Sequence, residues 1–487
     1  MKNLNSYRVF KRNNQEPNAN GEYVLYWMQI NRRFHYNFAL EYAVGWANKI
    51  NKPLLILEAF SCDYPWATAR THTFVMQGME EHLEYATQQK LNYISFAEQE
   101  TGQYEVLLKN LTSKASVLVT DEYPVFIMRK RNETYSQEME LPYITVDSNG
   151  LIPLGITEKD PYSAYLFRKT MQKNFVEAFT NPPKKNPLDD LKNRDSINLP
   201  GSFHENLPER KKGPANITKF ISGLKINHDV KPINWHGGRQ AALGMLGQFI
   251  QNSLLEYDEK RNDPDEKKTS NLSPWLHFGK ISVYEIISAA LKHQPEGWDL
   301  DKITYNNGST DGFFNGNQSI DSFLDEVITW RETGFHFAHH RKDYDKFESL
   351  PSWAQQTLNK HRDDKREWTY TYEQLENAQT HDEIWNAAQM QLRRDGIIHN
   401  YLRMLWGKKV IEWTPEPEIA LRYLIELNNT YAIDGRDPNS YSGIFWCFGR
   451  FDRAWQERPV TGKLRYMSSD NTRKKIKLKQ YLNTYAS

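Results

Sequence analysis

The sequence predicts an N-terminal α/β domain built on a doubly wound parallel sheet, followed by an all-helical domain. Three observations carry this. From Glu22 to about Gly150, short apolar runs alternate with stretches whose apolar residues recur at helical spacing. Beyond Ile217 the periodicity is almost wholly helical. Between them lies loop composition, Asn181-Pro182-Pro183-Lys184-Lys185-Asn186-Pro187 and Leu199-Pro200-Gly201.

In chain order, residues 23–27, 53–57, 115–121 and 143–147 read as buried strands, and 36–50 and 74–89 as helices between them. Two strands end in acids, Asp121 and Asp147, at the strand ends where ligands of such folds usually sit. No Gly-x-Gly-x-x-Gly is present, so the domain is Rossmann-like by pattern only. The helical part has segments at 240–254, 281–292, 321–333, 372–378, 381–409 and 418–428, with a polar insertion at 306–317. The expected division is an N-terminal extension at 1–21, the α/β domain at 22–156, a surface linker at 157–216 and the helical domain at 217–487.

A chain of 487 residues is too long for one core. Its 39% hydrophobic and 25% charged content describe an ordinary globular protein. Two cysteines, Cys62 and Cys447, form neither a disulfide framework nor a zinc pattern, which suits a reducing cytoplasm. No signal peptide or membrane span is visible. With a formal net charge of +1, nucleic-acid contact must come from a local basic patch. The aromatic share, 13% with 14 Trp, is high, and aromatic core packing alone can explain it.

The chemistry lies in the helical domain. Thr269-Ser270-Asn271-Leu272-Ser273-Pro274 places hydroxyls and an N-cap pattern before an apolar helix, which makes either a plain capped helix or a diphosphate site. Tyr257 precedes it within Glu256-Tyr257-Asp258-Glu259-Lys260-Arg261. Further on come Glu326-Val327-Ile328-Thr329-Trp330-Arg331, Trp385-Asn386-Ala387-Ala388-Gln389, His399-Asn400-Tyr401-Leu402-Arg403-Met404-Leu405-Trp406 and Asp434-Gly435-Arg436-Asp437-Pro438-Asn439. Trp406 and Trp413 fall on one helix face if that helix continues, a stripe that is more often core than an electron wire. Near the C-terminus, aromatics interleave with bases, a pattern suited to an unstacked nucleotide held between rings while cations grip phosphates.

Together these motifs resemble the photolyase/cryptochrome flavoproteins, and within them the class II cyclobutane pyrimidine dimer photolyases. The likeness includes the Tyr257-to-Ser273 segment and runs without large breaks from Asp321 to about Lys477. It implies a carbon–carbon lyase that uses FAD, with a possible antenna chromophore of unknown identity held by the α/β domain. UV-damaged DNA would be the partner of a cytoplasmic monomer. The resemblance assigns Tyr257, Thr269, Ser270, Asn271, Leu272, Ser273, Arg331, Arg403 and Asp434 to FAD binding. Asn428 and Asn439 are alternative amides for the flavin's central nitrogen. Glu326, Trp330 and Asn400 would meet the dimer. Trp406, Trp385 and Trp413 would carry electrons in that order outward from the flavin, Trp413 nearest solvent. Trp446, Arg450, Arg453, Trp455, Arg458, Lys463 and Arg465 would hold DNA.

Three departures stand out. Glu285 occupies the place of a class II arginine that grips the lesion strand. Asn400 replaces the usual class II glycine and matches the class I His-Asn-x-x-Arg-Met pattern, which suits cyclobutane dimers and disfavours the 6-4 lesion. The 306–317 insertion precedes the pocket segment. Apart from these, the alternative class I triad is absent, because Ile444 stands where it needs tryptophan. A cryptochrome-like photoreceptor without repair activity is the alternative, and the chain's end soon after the helical domain favours the enzyme.

Overall fold

The computed structural model describes residues 3–198 and 214–486. By contact the chain divides into two units, Met1–Ile156 with Glu177–Leu246 and Leu272–Ser288, and Thr157–Val176 with Gly247–Asn271 and Ala289–Ser487. Glu177–Leu246 and Leu272–Ser288 group with the sheet.

The first unit carries strands β1 (Val9–Lys11), β2 (Tyr23–Met28), β3 (Leu54–Phe60), β4 (Tyr93–Ala97), β5 (Ala115–Asp121) and β6 (Tyr143–Val146). Helices α1 (Phe38–Ile50), α2 (Ala69–Gln88), α3 (Gln103–Ser113) and α4 (Phe126–Glu138) connect them. The sheet order is β1-β6-β5-β2-β3-β4, parallel except for β1, which pairs antiparallel with β6. Every residue of β2 is buried, as a parallel strand covered on both faces requires. The expected doubly wound sheet is therefore present.

Two strands went unread in the sequence. β4 has partly buried residues at its edge of the sheet, and three-residue β1 is too short to show a period. Residues 9–11 thus belong to the sheet and not to an extension outside it.

Asp121 and Asp147 are not open ligand positions. Asp121 accepts the N–H groups of Gln29, Ile30 and Asn31, each at 2.9 Å, and the Tyr26 hydroxyl. Asp147 accepts from Asn149 and from the Leu154 N–H, with the Arg8 guanidinium 3.5 Å away. Both carboxylates fasten the turns that follow the strands.

The second unit is helical. The expected helix over 321–333 is instead Gln318–Leu324, a π-helical turn over Asp325–Trp330, and Arg331–His340. The helix expected over 381–409 is two, Glu383–Asp395 and Asn400–Trp413. Gly396, at φ 72°, ends the first with a left-handed cap that a side chain would strain. The linker is partly helical, since Ala164–Thr180 forms a helix that buries Phe167, Met171, Phe175 and Ala178. Residues 181–186 form the expected loop. Leu199-Pro200-Gly201 lies outside the described residues.

Candidate functional site

The tryptophans assemble as three contacting residues. Trp385, Trp406 and Trp413 are all buried in one core cluster with Leu402, Leu405, Val410 and Leu424. The Trp385 indole N–H donates to the main-chain carbonyl of Trp406 at 3.0 Å, and the Trp406 indole donates to Gln389 Oε1 at 2.9 Å. The Trp385 and Trp413 ring centroids are 5.5 Å apart, edge to face. Trp406 and Trp413 do share the one helix. One expectation is corrected: Trp413 is only 2% exposed, because Tyr370 and His381 pack outside it.

On the same helix, Arg403 faces Asp434 at 3.8 Å, bringing together the expected guanidinium–carboxylate pair. Asp434 is buried, and its Oδ1 has no hydrogen-bond partner among the described residues. A buried charged oxygen without a donor is costly, so this corner suits a bound group that supplies one. Asn428 is buried and donates to Ser440 Oγ and Asn429 Oδ1, whereas Asn439 is exposed at the start of the Pro438–Cys447 helix. Gly334 lets that helix approach closely, since a Cβ there would sit 2.9 Å from the Pro438 carbonyl. Asn400 is exposed at the first turn of its helix, behind His399. Burial pushes the His399 imidazole down to about 4.

The π-helical turn displays Glu326 and Trp330 in a cleft of about 410 Å³. Such turns recur at functional positions because they re-aim side chains. Trp330 is 36% exposed. Glu326 pairs with Arg261; burial raises its carboxyl above the usual range, against the pull of that guanidinium. Arg331 is buried with its guanidinium 4.4 Å from the Phe335 ring centroid.

Two segments that line the cleft escaped sequence reasoning. Arg168 lies in the supposed linker and grips Asp325 through two 2.9 Å bonds. Ser309, Thr310, Asp311 and Gly312 of the 306–317 insertion also line the cleft. The repeated helical period around Phe167, Met171 and Phe175 was the available signal for the first.

The hydroxyl segment departs from expectation. Tyr257 is buried, edge-on to Phe249 and Phe323. Thr269 Oγ1 donates to Asn271 Oδ1 at 3.2 Å, and both residues, like Ser270, are half-buried. The helix that follows, Ser273–His277, is little more than one turn, and Leu272 at its N-cap makes no side-chain cap. Leu272 is buried, Ser273 half-buried, and both belong to the sheet-bearing unit. A capped, long helix for diphosphate is therefore not what this segment builds.

Towards the C-terminus, Arg453, Trp455, Arg458, Lys463, Arg465 and Tyr466 form an exposed surface. Trp455, 38% exposed, lies under both Arg453 and Arg465, at 5.2 and 4.8 Å from its ring centroid. Half-buried Trp446 lies beneath Arg465 and Lys408. The main-chain bonds from Trp455 N–H to Lys463 O and between Arg458 and Gly462 fold the segment back on itself. Arg450 is not part of this face. It is buried, pairs with Asp160 and donates to Ser349 O, so its guanidinium is structural. Glu285, in the other unit, pairs with Arg239 and accepts the Ser282 N–H at 3.0 Å.

A sheet-bearing α/β unit with a helix-rich one, and a chain of buried tryptophans in the latter, define a photolyase-type fold. A class III photolyase structure from Agrobacterium tumefaciens matches it with a TM-score of 0.62 at 16% identity, over 96% of this chain and 87% of that one. No family model matches the sequence. The deoxyribodipyrimidine photo-lyase of Methanothermobacter thermautotrophicus is 33% identical over 482 residues, covering 99% of this chain and 98% of that protein. Those of Oryza sativa subsp. japonica and Potorous tridactylus are 32% and 30% identical, over 94% of this chain and 87% and 80% of theirs. The chain belongs to the deoxyribodipyrimidine photo-lyase family, lyases of DNA photorepair.

Proposed function

We propose that the protein is a class II-like, FAD-dependent enzyme that repairs cyclobutane pyrimidine dimers in UV-damaged DNA under light. The observation that carries this is the contact of Trp385 with Trp406 and Trp413, the latter two on the helix that also bears Arg403 opposite Asp434. Bound in its reduced form, FAD would supply a photoexcited electron to the lesion.

Everything else falls to the chain. Arg403 balances negative charge at the flavin, and Asp434 fixes that guanidinium while its open Oδ1 receives a donor. Asn439, with its amide exposed, is the better of the two candidates to face the flavin's central nitrogen; Asn428 is committed to Ser440 and Asn429. Tyr257, Thr269, Ser270, Asn271 and Arg331 complete the cofactor set, with Leu272 and Ser273 from the adjoining turn. Glu326, kept more easily protonated by burial, donates to the dimer, Trp330 stacks on it and Asn400 meets its polar edge. Trp446 and Trp455 wall the flipped lesion, and Arg453, Arg458, Lys463 and Arg465 hold the strand. The α/β unit is the place for any antenna pigment. We infer a cytoplasmic monomer.

The test is direct binding. The purified protein should release FAD on denaturation, and the apoprotein should bind a dimer-containing oligonucleotide in preference to its undamaged twin. Absence of both FAD uptake and lesion preference contradicts the reading.

A further inference from the structure

We propose that His361 is a positioning residue: as an imidazolium held between Asp364 and Glu457, it seats the basic C-terminal hairpin for DNA and makes DNA binding proton-linked. This rests on the proposed function of that hairpin, and it concerns residues that act through the hairpin.

Residues 452–463 carry Trp455, Arg458 and Lys463, and main-chain bonds between Trp455 and Lys463 and between Arg458 and Gly462 fold them back on themselves. A lone fold-back of this kind is marginally stable, so its position is set by what it leans on. It leans on the Ser352–Lys360 helix and the turn that follows. The Lys463 N–H donates to Thr357 Oγ1 at 3.0 Å, and the Val460 N–H donates to Asp364 Oδ2 at 2.8 Å. Gly462, at φ 55°, comes so close that a Cβ there would collide with Thr357 Oγ1. Glu457 accepts from Lys360 Nζ at 2.7 Å.

His361 joins these contacts. Its Nδ1 lies 2.6 Å from Asp364 Oδ2, the oxygen that also takes the Val460 N–H, and its Nε2 lies 2.9 Å from Glu457 Oε1. Ionised carboxylates only accept, whereas a neutral imidazole has one N–H and one accepting nitrogen. Both bonds therefore stand together only when the ring carries two protons. Its place suits that charge. His361 caps the C-terminal end of its helix, where partial negative charge collects. Its side chain is 12% exposed, so its pairs are screened less than the outlying Lys360 bond. The Asp364 bond foremost, helped by Glu457, raises the imidazole's pKa above its ordinary value although burial opposes it.

The other charges facing this cluster are Lys360 and Lys463 towards Glu457, and Arg366 towards Asp364. Among these residue types only histidine ordinarily changes charge between pH ~5 and ~8. Below its raised pKa both bonds hold and the hairpin is seated. As pH rises through that value the ring keeps one N–H, and one carboxylate is left facing a lone pair. The negative charge uncovered there lies beside Arg458 and Lys463, the cations that would grip phosphate. Lost seating and uncovered charge both weaken the hold on DNA. A lysine or arginine at 361 would hold the hairpin at every pH; histidine makes the hold conditional.

The test is titration of a dimer-containing oligonucleotide with the oxidised holoprotein in the dark, at fixed ionic strength between pH ~6 and ~9. Wild type, His361→Gln and Glu457→Gln are compared. Wild-type binding should weaken as pH rises, by up to about tenfold per pH unit at the steepest, the limit for one linked proton. His361→Gln should bind at pH ~6 as weakly as wild type does at pH ~9, with the slope lost. Glu457→Gln should bind tightly at both ends, also without slope, because the new amide donates to the lone pair of neutral Nε2 and both bonds survive. This variant alone decides the matter if His361→Gln fails to fold. The same slope in wild type and His361→Gln, or the wild-type slope retained in Glu457→Gln, overturns the inference. Wild type that shows no preference for the damaged oligonucleotide at any pH overturns the proposed function and this inference with it.

Discussion

The indole N–H of Trp385 donates to the main-chain carbonyl of Trp406 at 3.0 Å and so ties the Glu383–Asp395 helix to the Asn400–Trp413 helix at the centre of the tryptophan chain. That bond fixes the order of contact, because Trp385 is then the ring that meets Trp413. Trp406→Phe keeps the carbonyl and removes only the indole bonded to Gln389. We expect photoreduction of the oxidised flavin to be blocked and repair by chemically reduced protein to persist. The orphaned Gln389 oxygen should cost about 1–3 kcal/mol of stability, readable by denaturant unfolding. Loss of both photoreduction and reduced-state repair contradicts the wire.

Asp434→Asn should weaken FAD retention by about 1.5–3 kcal/mol, since a charge-assisted interaction with Arg403 is replaced by a neutral one. Arg403→Lys should do less, because its charge survives while the fork geometry does not. Equilibrium dialysis of FAD against the apoprotein measures both.

The meeting of the three tryptophans, and of Arg403 with Asp434, was legible before the fold was known. The motifs around Trp385, Arg403 and Asp434 are read directly because their residue types are specific and their helices regular. What stayed hidden was set by tertiary packing. Arg450 sits among exposed bases in the sequence, yet Asp160 and Ser349 O, far away in the chain, draw it inside. Trp413 was placed near solvent because the rings that cover it, Tyr370 and His381, come from another segment. β1 is too short for its period to show, and the Ala164–Thr180 helix was masked by the proline-rich run that follows it.

The exposed C-terminal residues and buried Arg450 should behave differently. Trp455→Ala should weaken binding of damaged DNA by about 1–3 kcal/mol, the range for a base stacked on an aromatic ring. Lys463→Ala should weaken damaged and undamaged DNA alike and lower the salt dependence by about one ion. Arg450→Ala should instead destabilise the fold, because it leaves Asp160 and buried Ser349 without their partner. Binding titrations over a salt series, set beside thermal unfolding, separate the cases.

His399 provides a pH signature. Burial holds its folded-state imidazole at about 4, below an unfolded value of about 6.5. Between those values the unfolded chain binds the additional proton, so this group's contribution is fully present above pH ~6.5 and is lost as pH falls toward 4. His399→Gln should flatten the stability curve in that window. An unchanged slope in urea unfolding between pH 4 and 6.5 contradicts the assignment.

The most direct measurement is repair of a thymine dimer in a defined oligonucleotide by the chemically reduced holoprotein, in blue light and in darkness. The account predicts intact thymines restored in light only, with Glu326→Ala slowed and wild type active despite Glu285. Bound flavin with no light-dependent repair would contradict it and make the protein a light-sensing relative.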